Sequence, residues 1–403
     1  MTGTAATALT LTWVEGIAGL TPWFDRWQDL VDRTEAEIFL SPRWLMAWWP
    51  ELGRGRKLVA LVAETEGRLV GLLPFMIDRL WIGPMSFRIG RFAATDPNCI
   101  VLTLPVEPAC VAAMIEAACI GLLNREGCTA VSLTPVSDQA RVLPELHDLA
   151  RNRPDLVLTE MPQGTHCVFT LPATFQDYLA TQVTGKRRGQ FRRELAGLRE
   201  AFDLQNRSFT PTGPEFDDFV AFHNVQWQAV GKGGHFSDWP RAHETYRALA
   251  PLTDASRGLR FFSQSGNEGP LATQLCFMSG HTCHWRLPAR TLDARADKMG
   301  IGKASLMLMI EDLIAAGVTQ IEAGRGEYDY KTQHGGKDIP VHRILLSRNT
   351  RLCRLKLGLL LVWSDAVDYF YYRVWFKKIA PVLRKKVGLP ARPLWRHWIG
   401  SRV

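Results

Sequence analysis

The chain has 403 residues, a formal net charge of +8, and 46% hydrophobic and 22% charged residues. This length exceeds what one hydrophobic core usually supports and the composition is typical of a soluble globular protein, so we expect two domains and an appendage. The last 53 residues (351–403) hold twelve Lys or Arg and two acidic residues, while the other 350 sum to −2 (36 basic, 38 acidic), so the basic charge gives no support for DNA binding by the body.

Targeting and redox features favour a cytoplasmic protein. The start of the chain has no basic, apolar signal sequence, and no stretch reaches the 18 uncharged apolar residues of a membrane-spanning helix. The eight cysteines are scattered without a C-x-x-C pair, which fits a reducing compartment.

The first half alternates strands and helices around a mixed sheet. A helix is predicted at Pro42–Leu52, followed by a hairpin whose strands flank Glu66-Gly67. Further predicted strands and helices are 98–104 (strand), Val106–Glu126 (helix), Ala130–Leu133 (strand), Arg141–Asn152 (helix), Leu156–Thr159 and Cys167–Leu171 (strands).

The second half starts with one long predicted helix and then repeats the order of the first. The predicted elements are the helices Phe175–Ala201, Glu215–Val230 and Arg241–Leu252, strands in two hairpins between Leu259 and Leu287, a glycine-turn helix, and the strand Thr319–Ala323. In both halves a helix precedes a strand, an acidic-glycine turn and an apolar strand, which indicates two related domains unless the hairpins are alike by chance. The predicted boundaries are 1–172, 173–350 and a tail at 351–403.

The stretch Lys298-Met-Gly-Ile-Gly-Lys303 predicts an anion site. A glycine turn that opens a helix points unpaired backbone N–H groups outward at the positive end of the helix dipole, where phosphates bind. The alternative is a helix start that binds nothing, since both the third glycine of a dinucleotide fingerprint and the Gly-Lys-Ser/Thr of a P-loop are missing.

Several stretches in order resemble the GNAT acyltransferases, in particular the CelD/BcsL-type branch that is associated with cellulose and exopolysaccharide biosynthesis and is related to the Fem peptidyltransferases. The stretches are SPRWLMAWW, the hairpins 57–77 and 259–278, KRRGQFRRELAGLRE, FHNVQWQAVGKGGHF, MGIGKASLMLMIEDLIAAGVTQIEAG and GRGEYDYK. The resemblance implies two tandem GNAT-like α/β (α+β) domains with mixed, largely antiparallel sheets and a C-terminal helical tail. The first domain would be degenerate and face the acceptor.

The resemblance also implies a donor and a reaction. Acetyl-CoA or another acyl-CoA would bind as co-substrate at Met299, Gly300, Ile301, Gly302 and Lys303, and the acyl group would pass directly to an amine or hydroxyl of a sugar-related or glycan acceptor. Asp297 stands where classical members of the family have Gln or Arg. The alternatives are a Fem-like aminoacyl transfer from charged tRNA and a non-catalytic accessory protein of a membrane polysaccharide synthase.

The segment Glu322–Lys331 is the predicted catalytic edge. Glu322 is a candidate general base, Tyr330 a candidate acid for the leaving thiolate, and Lys331 a candidate for oxyanion support. Arg325 and Asp329 are candidates for binding the acceptor. A structural ion pair between Glu322 and Lys331 or Arg325 would be the alternative.

Other clusters admit both a binding and a structural explanation. His223 and Trp227 lie on one helix face and would bind the acceptor or simply pack, and the run from Lys186 to Arg193 would bind an anion or be a solvated face. The alternation of Cys276, His281, Cys283 and His284 favours core packing, and no metal is expected. The basic, aromatic tail either lies on an anionic membrane or a membrane-bound synthase, at the inner face, or packs on the body.

Overall fold

The computed structural model describes residues 9–95, 99–238, 241–250, 257–387, 398 and 402. The chain forms two compact units, the first from residues 1–163, 340–370 and 396–403 and the second from 164–339 and 371–395. The predicted boundaries, by comparison, were at 172 and 350. The residues 1–8 that bear on the signal-peptide prediction lie outside the described part, as do residue 98 and residues 251–252 of two predicted elements.

The first unit begins with an antiparallel sheet and its covering helices. Its elements in chain order are β1 (Thr10–Glu15), α1 (Gly16–Leu20), α2 (Phe24–Thr34), α3 (Pro42–Leu52), β2 (Lys57–Thr65), β3 (Arg68–Ile82), β4 (Met85–Phe92), α4 (Val111–Asn124), β5 (Ala130–Ser132), β6 (Val136–Ser137) and α5 (Val142–Asn152). Ser41 caps α3 by accepting the N–H of Trp44 at 3.2 Å, and Pro42 takes the first helical position, where its missing N–H costs nothing. The predicted strand at 98–104 is wrong: among the described residues there, Val101 makes a single bridge to Val136.

The second unit follows along the chain and contains the glycine-turn helix. Its elements are the later part of β7 (Leu156–Thr170), then α6 (Phe175–Thr181), α7 (Gly185–Phe202), β8 (Gln205–Phe209), α8 (Gly213–Gln228), α9 (His235–Asp238), α10 (Ala242–Leu249), β9 (Arg257–Gly266), β10 (Gly269–Ser279), β11 (Thr282–Arg290), α11 (Ala294–Lys298), α12 (Ile301–Ala315), β12 (Gln320–Arg325) and α13 (Asp329–Thr332). The two strands predicted between 156 and 171 are one strand, β7.

The long helix predicted at Phe175–Ala201 is in fact two helices. The first ends at Thr181, and Thr184 caps the second by accepting the N–H of Arg187 at 3.3 Å. Arg188 donates from Nη1 to the carbonyl oxygens of Leu179 (2.7 Å) and Ala180 (3.1 Å) at the end of α6. The break therefore arises because a threonine offers the backbone a capping bond that competes with the helix.

The chain then returns to the first unit through β13 (Lys337–Arg348) and α14 (Arg351–Val367), and continues as a π-helical segment at Asp368–Ile379 and a short helix α15 (Ala380–Val382). Strand β13 pairs with β5 and β6 in the first unit. One face of α14 is buried: Leu357 and Leu360 pack with Phe87, Ile89 and other sheet residues. No helix among the described residues is long and apolar enough to cross a membrane.

The strands of the first unit and those of the second unit repeat one pattern. In the first unit β1, β2, β3 and β4 form an antiparallel meander, β5 runs parallel to β4, and β13 runs antiparallel to β5. In the second unit β8, β9, β10 and β11 form the meander, β12 runs parallel to β11, and β7 runs antiparallel to β12. This repetition confirms the predicted fold class and extends the predicted repeat from one hairpin to six strands of each unit.

Candidate functional site

Strands β11 and β12 pair for only three residues and then separate. Residues 282–284 lie opposite residues 320–322, the last pair being His284 and Glu322, whereas β11 continues to Arg290. In the first unit β4 pairs with β5 at Ile89–Arg91 and ends one residue later, so it has no diverging segment of this kind. Diverging strands leave backbone groups available to an extended ligand.

Helix α8 holds the end of the diverging strand. His223 donates from Nδ1 to the carbonyl oxygen of Pro288 at 3.2 Å, and Gln226 Oε1 accepts the N–H of Arg290 at 2.9 Å. The ring of His223 also accepts the N–H of His235 at Nε2 (3.4 Å). Because His223 is only 1% exposed, burial lowers its pKa to about 4, so the ring is neutral near pH 7.

The predicted anion turn lies at the start of α12. Gly300 has φ +75°, the left-handed conformation that glycine adopts without strain, and a Cβ there would lie 2.6 Å from Glu194 Oε1. The N–H groups of Met299, Gly300 and Lys303 already donate to the carbonyls of Arg295, Asp297 and Gly300. Of the five predicted residues, Ile301 and Gly302 therefore remain as the donors at the first helical positions, which have no intrahelical acceptor.

Arg290 lies against this turn. A Cβ on Gly302 would meet Arg290 Cδ at 3.4 Å, and the guanidinium of Arg290 pairs with Asp297. Asp297 and Arg290 thus neutralise each other beside the N-terminus of α12. Without Arg290, the negative charge of the Asp297 carboxylate would oppose the binding of a phosphate there.

Glu322 is buried (3% exposed) and held by two donors on the same oxygen. Its Oε1 accepts from His166 Nδ1 at 3.2 Å and from the N–H of Gly324 at 2.9 Å. Burial by itself raises the pKa of this carboxyl, but the bond from His166, the nearby His284 and the Gly324 N–H outweigh it and lower the pKa. Glu322 is thus ionised near pH 7, and Oε2 is the oxygen left to take a proton.

Tyr330 and Lys331 lie beside Trp285, the first β11 residue after the strands part. Lys331 Nζ donates to the carbonyl oxygen of Ala323 at 2.6 Å and lies 5.6 Å from the centroid of the Trp285 ring and 5.0 Å from that of Tyr328. The ring centroid of Tyr330 is 6.2 Å from that of Trp285. Burial lowers the pKa of Lys331 and raises the pKa of Tyr330 to about 12.

The remaining predicted site residues are more dispersed. Arg325 is half-buried on β12 opposite His166, and Asp329 is exposed at the start of α13. Trp227 is half-buried, its ring centroid 5.9 Å from that of His223 and 5.2 Å from Lys232 Nζ. The surroundings of His223 are those of a structural histidine that positions β11, and contact between this pair and an acceptor stays a prediction.

Sequence reasoning missed a buried network under the turn. Arg187, from the basic run, binds Glu194 through two bonds (Nη2–Oε2 2.6 Å, Nη1–Oε1 3.1 Å) and donates from Nε to His334 Nε2 at 2.7 Å. Arg187 and His334 are 147 residues apart, so no local spacing could indicate the contact. The same holds for His166 and Glu322, which are 156 residues apart.

Among the described residues no group of His, Cys, Asp and Glu side chains is arranged to hold a metal ion. Cys276, Cys283 and His284 are buried in the second unit, and burial lowers the pKa of His284 to about 4.

Comparison with known proteins places this geometry in a family context. No curated protein matches the chain in sequence. FemX is similar in structure at a TM-score of 0.57 and 9% identity, over 79% of this chain and 95% of that one. L-PGS from Bacillus licheniformis is similar at a TM-score of 0.50 and 12% identity, over 84% and 94%. A tandem GNAT protein from the clavulanic acid biosynthesis pathway aligns at a TM-score of 0.43 and 13% identity, over 84% and 98%.

The first two likenesses show a shared fold. Residues 185–332 match the sequence family described as Acetyltransferase (GNAT) domain, and this range contains the turn, β11, β12 and the residues from Glu322 to Lys331. The enzyme prediction is thereby confirmed: residues 185–332 are a GNAT acetyltransferase domain, and the protein is an enzyme of the GNAT acyltransferase type.

Proposed function

We propose that the protein transfers an acyl group from acyl-CoA to an amine or hydroxyl of a sugar-related acceptor, as in the CelD/BcsL-type branch that its sequence resembles. The observation that carries this proposal is the separation of β11 from β12 directly after the His284–Glu322 pair. The gap adjoins Glu322, Tyr330 and Lys331, and the following helix, α12, opens with the glycine turn. In the first unit β4 ends one residue after its pairing with β5, so the donor is assigned to the second unit.

Different residues of the second unit would bind different parts of the donor. The N–H groups of Ile301 and Gly302 would bind the pyrophosphate, with Lys303 supplying positive charge. Met299 and Gly300 shape the turn. The acyl arm would run along Trp285–Leu287, where β12 has diverged.

The transfer itself needs three roles. As the acceptor nitrogen or oxygen bonds to the thioester carbonyl carbon, Glu322 Oε2 takes the proton that the acceptor loses. Lys331 offsets the charge that develops on the carbonyl oxygen. When the carbon–sulfur bond breaks, Tyr330 returns a proton to the thiolate, for which its raised pKa keeps the phenol protonated.

A Fem-like transfer from charged tRNA is the second candidate. The fold similarity to FemX and the exposed Lys186, Arg192 and Arg193 on α7 favour it. However, Arg187 and Arg188 from the same run are engaged inside the second unit, which leaves a smaller cationic surface than the sequence suggested. Neutralising Lys186 and Arg193 together should abolish a steeply salt-dependent tRNA affinity if this candidate is correct.

Calorimetry with acetyl-CoA and longer acyl-CoAs tests the first candidate. We expect dissociation constants from about micromolar to millimolar for the wild type, which is the usual range for enzyme substrates. Gly302→Val should abolish binding, because the residue has ordinary backbone angles and the new side chain would occupy the anion turn. Gly358→Val, at a helical glycine with no atoms near its Cβ position, is the matched control and should bind normally. If the wild type binds no CoA thioester, the proposal fails.

A further inference from the structure

The outer face of α14 is apolar although it is exposed. Leu352, Leu355, Leu359, Val362 and Trp363 follow helical spacing along one side, and their exposed fractions run from 37% to 69%. They cover about 16 Å of helix, and Tyr369 and Phe370 extend the stripe with exposed fractions of 54% and 67%. We call these seven residues the α14 face. Scattered exposed apolar residues are normal, but a continuous stripe of this kind marks an interaction surface.

The opposite side of α14 packs against the sheet. Leu357 and Leu360 are buried against the sheet of the first unit and Ser364 is buried with them. The apolar side chains of α14 thus form two surfaces. One packs in the core of the first unit, and the other, the α14 face, is exposed.

The charges around the α14 face are positive. Arg351 and Arg354 are exposed on one flank and Lys356 is half-buried on the other. The two acidic residues nearby are neutralised: Asp365 pairs with Arg343 at 2.9 Å, and Asp368 pairs with Arg402 and accepts from Trp398 Nε1 at 3.0 Å. A protein partner would have to match this stripe residue by residue, whereas an anionic lipid surface complements apolar, aromatic and basic groups together.

We propose that the α14 face is a docking surface for an anionic lipid membrane. The apolar stripe would enter the boundary between headgroups and acyl chains, Trp363, Tyr369 and Phe370 would lie at the headgroup level, and Arg351, Arg354 and Lys356 would bind lipid phosphates. The helix would lie in the plane of the surface, because its other side is packed on the sheet. This docking goes beyond the proposed acyl transfer and is independent of it.

Vesicle co-sedimentation of the full chain tests the proposal. We expect the wild type to bind vesicles of one part phosphatidylglycerol to two parts phosphatidylcholine, more weakly as salt rises, and to bind pure phosphatidylcholine weakly. Leu355→Asp/Val362→Asp should lower the partition coefficient at least about tenfold. Leu11→Asp, at another exposed apolar residue of the first unit, should not change it. Both variants should retain the wild-type circular dichroism spectrum, because the substituted side chains are exposed.

A second pair of variants separates charge from apolar burial. Arg351→Gln/Arg354→Gln should weaken binding to the anionic vesicles by about 25-fold, roughly fivefold for each charge lost. Arg43→Gln/Arg54→Gln, at exposed arginines in and just after α3, should have no effect. The proposal is overturned if the wild type does not bind anionic vesicles, or if the aspartate variants bind like the wild type. It is also overturned if the chain dimerises without lipid through this face and Leu355→Asp/Val362→Asp makes it monomeric.

Discussion

The carboxylate of Glu322 accepts a hydrogen bond from Nδ1 of His166 at 3.2 Å, inside the second unit and at the last paired residue before β11 and β12 part. The bond fixes the orientation of a carboxyl group that burial would otherwise favour in its neutral form. His166 and the N–H of Gly324 both donate to Oε1 and so hold the carboxylate in place. The second oxygen, Oε2, is therefore the one that would accept a proton from the acceptor.

Glu322→Gln should lower kcat for acyl transfer by about 10²- to 10⁴-fold, which is the usual contribution of a positioned general base. The affinity for acyl-CoA should not change, because Glu322 does not lie at the anion turn. Steady-state kinetics with the cognate acceptor, together with calorimetry, would measure both. If kcat stays within a few-fold of the wild type, Glu322 is a structural residue and not the base.

His166→Gln is the matched variant for that experiment. The histidine is a positioning residue, and its loss should return the pKa of Glu322 towards the higher value that burial favours. The acid limb of the pH–rate profile should therefore move to higher pH, while the rate at the plateau falls less than in Glu322→Gln. An unchanged acid limb would argue against this role.

Lys331→Met should separate stability from activity. The buried ammonium costs free energy to desolvate, as its lowered pKa indicates, so an apolar side chain of similar length should leave the free energy of unfolding at pH 7 unchanged or increase it. If Lys331 supports the oxyanion, kcat should nevertheless fall by about 10²- to 10³-fold. Chemical denaturation and kinetics on one preparation test both parts. A variant that is destabilised and inactive would show that Lys331 is mainly structural.

Arg187→Met should destabilise the protein by about 3–5 kcal/mol, because it leaves the carboxylate of Glu194 without its buried partner. The double variant Arg187→Met/Glu194→Gln should recover part of that loss. Arg193→Met, at an exposed arginine of the same helix, should change the free energy of unfolding by no more than about 0.5 kcal/mol. Equal effects of Arg187→Met and Arg193→Met would contradict the network.

Stability should fall as the pH drops from about 6.5 to about 4. Burial lowers the pKa of His223, His284 and His334 to about 4 each, against an ordinary value of 6.5. Between these pH values the unfolded chain binds more protons than the folded one, so each histidine removes on the order of 3 kcal/mol across the range and nothing above it.

His223→Gln removes one of these protons. The slope of the free energy of unfolding against pH should therefore decrease by up to about 1.4 kcal/mol per pH unit between pH 4 and 6.5, whatever the offset of the curve. Parallel curves for wild type and His223→Gln would show that this ring is not kept neutral by burial.

The sequence predicted the fold well where signals are local. The hairpin around Glu66-Gly67, helix α3 and the glycine turn at Gly300 were recognised from spacing and from glycine positions that the structure confirms as turns. The sequence does not predict the break before Thr184, because the helical pattern of residues continues through it. The cap by Thr184 and the bonds from Arg188 to the carbonyl groups of α6 are recognised only in the structure.

The candidate site was predicted only in part, for a physical reason. Glu322, Tyr330 and Lys331 are close in sequence and are also close in space. The residues that set their environment, His166 and Trp285, and those that brace the turn, Arg290 and Glu194, come from other elements. Their roles depend on sheet register and burial, which are long-range properties of the fold.

The pairing of β13 with strands of the first unit has a consequence for synthesis on the ribosome. This strand pairs with β5 and β6, yet it is translated after residues 164–336 of the second unit. The second unit, apart from residues 371–395, can therefore emerge and fold while β5 still presents an unpaired edge. Unpaired edges are sites of aggregation. A chain that stopped near residue 339 would keep the acetyltransferase domain but leave β5 without β13, so premature termination should produce an aggregating product rather than a smaller active enzyme.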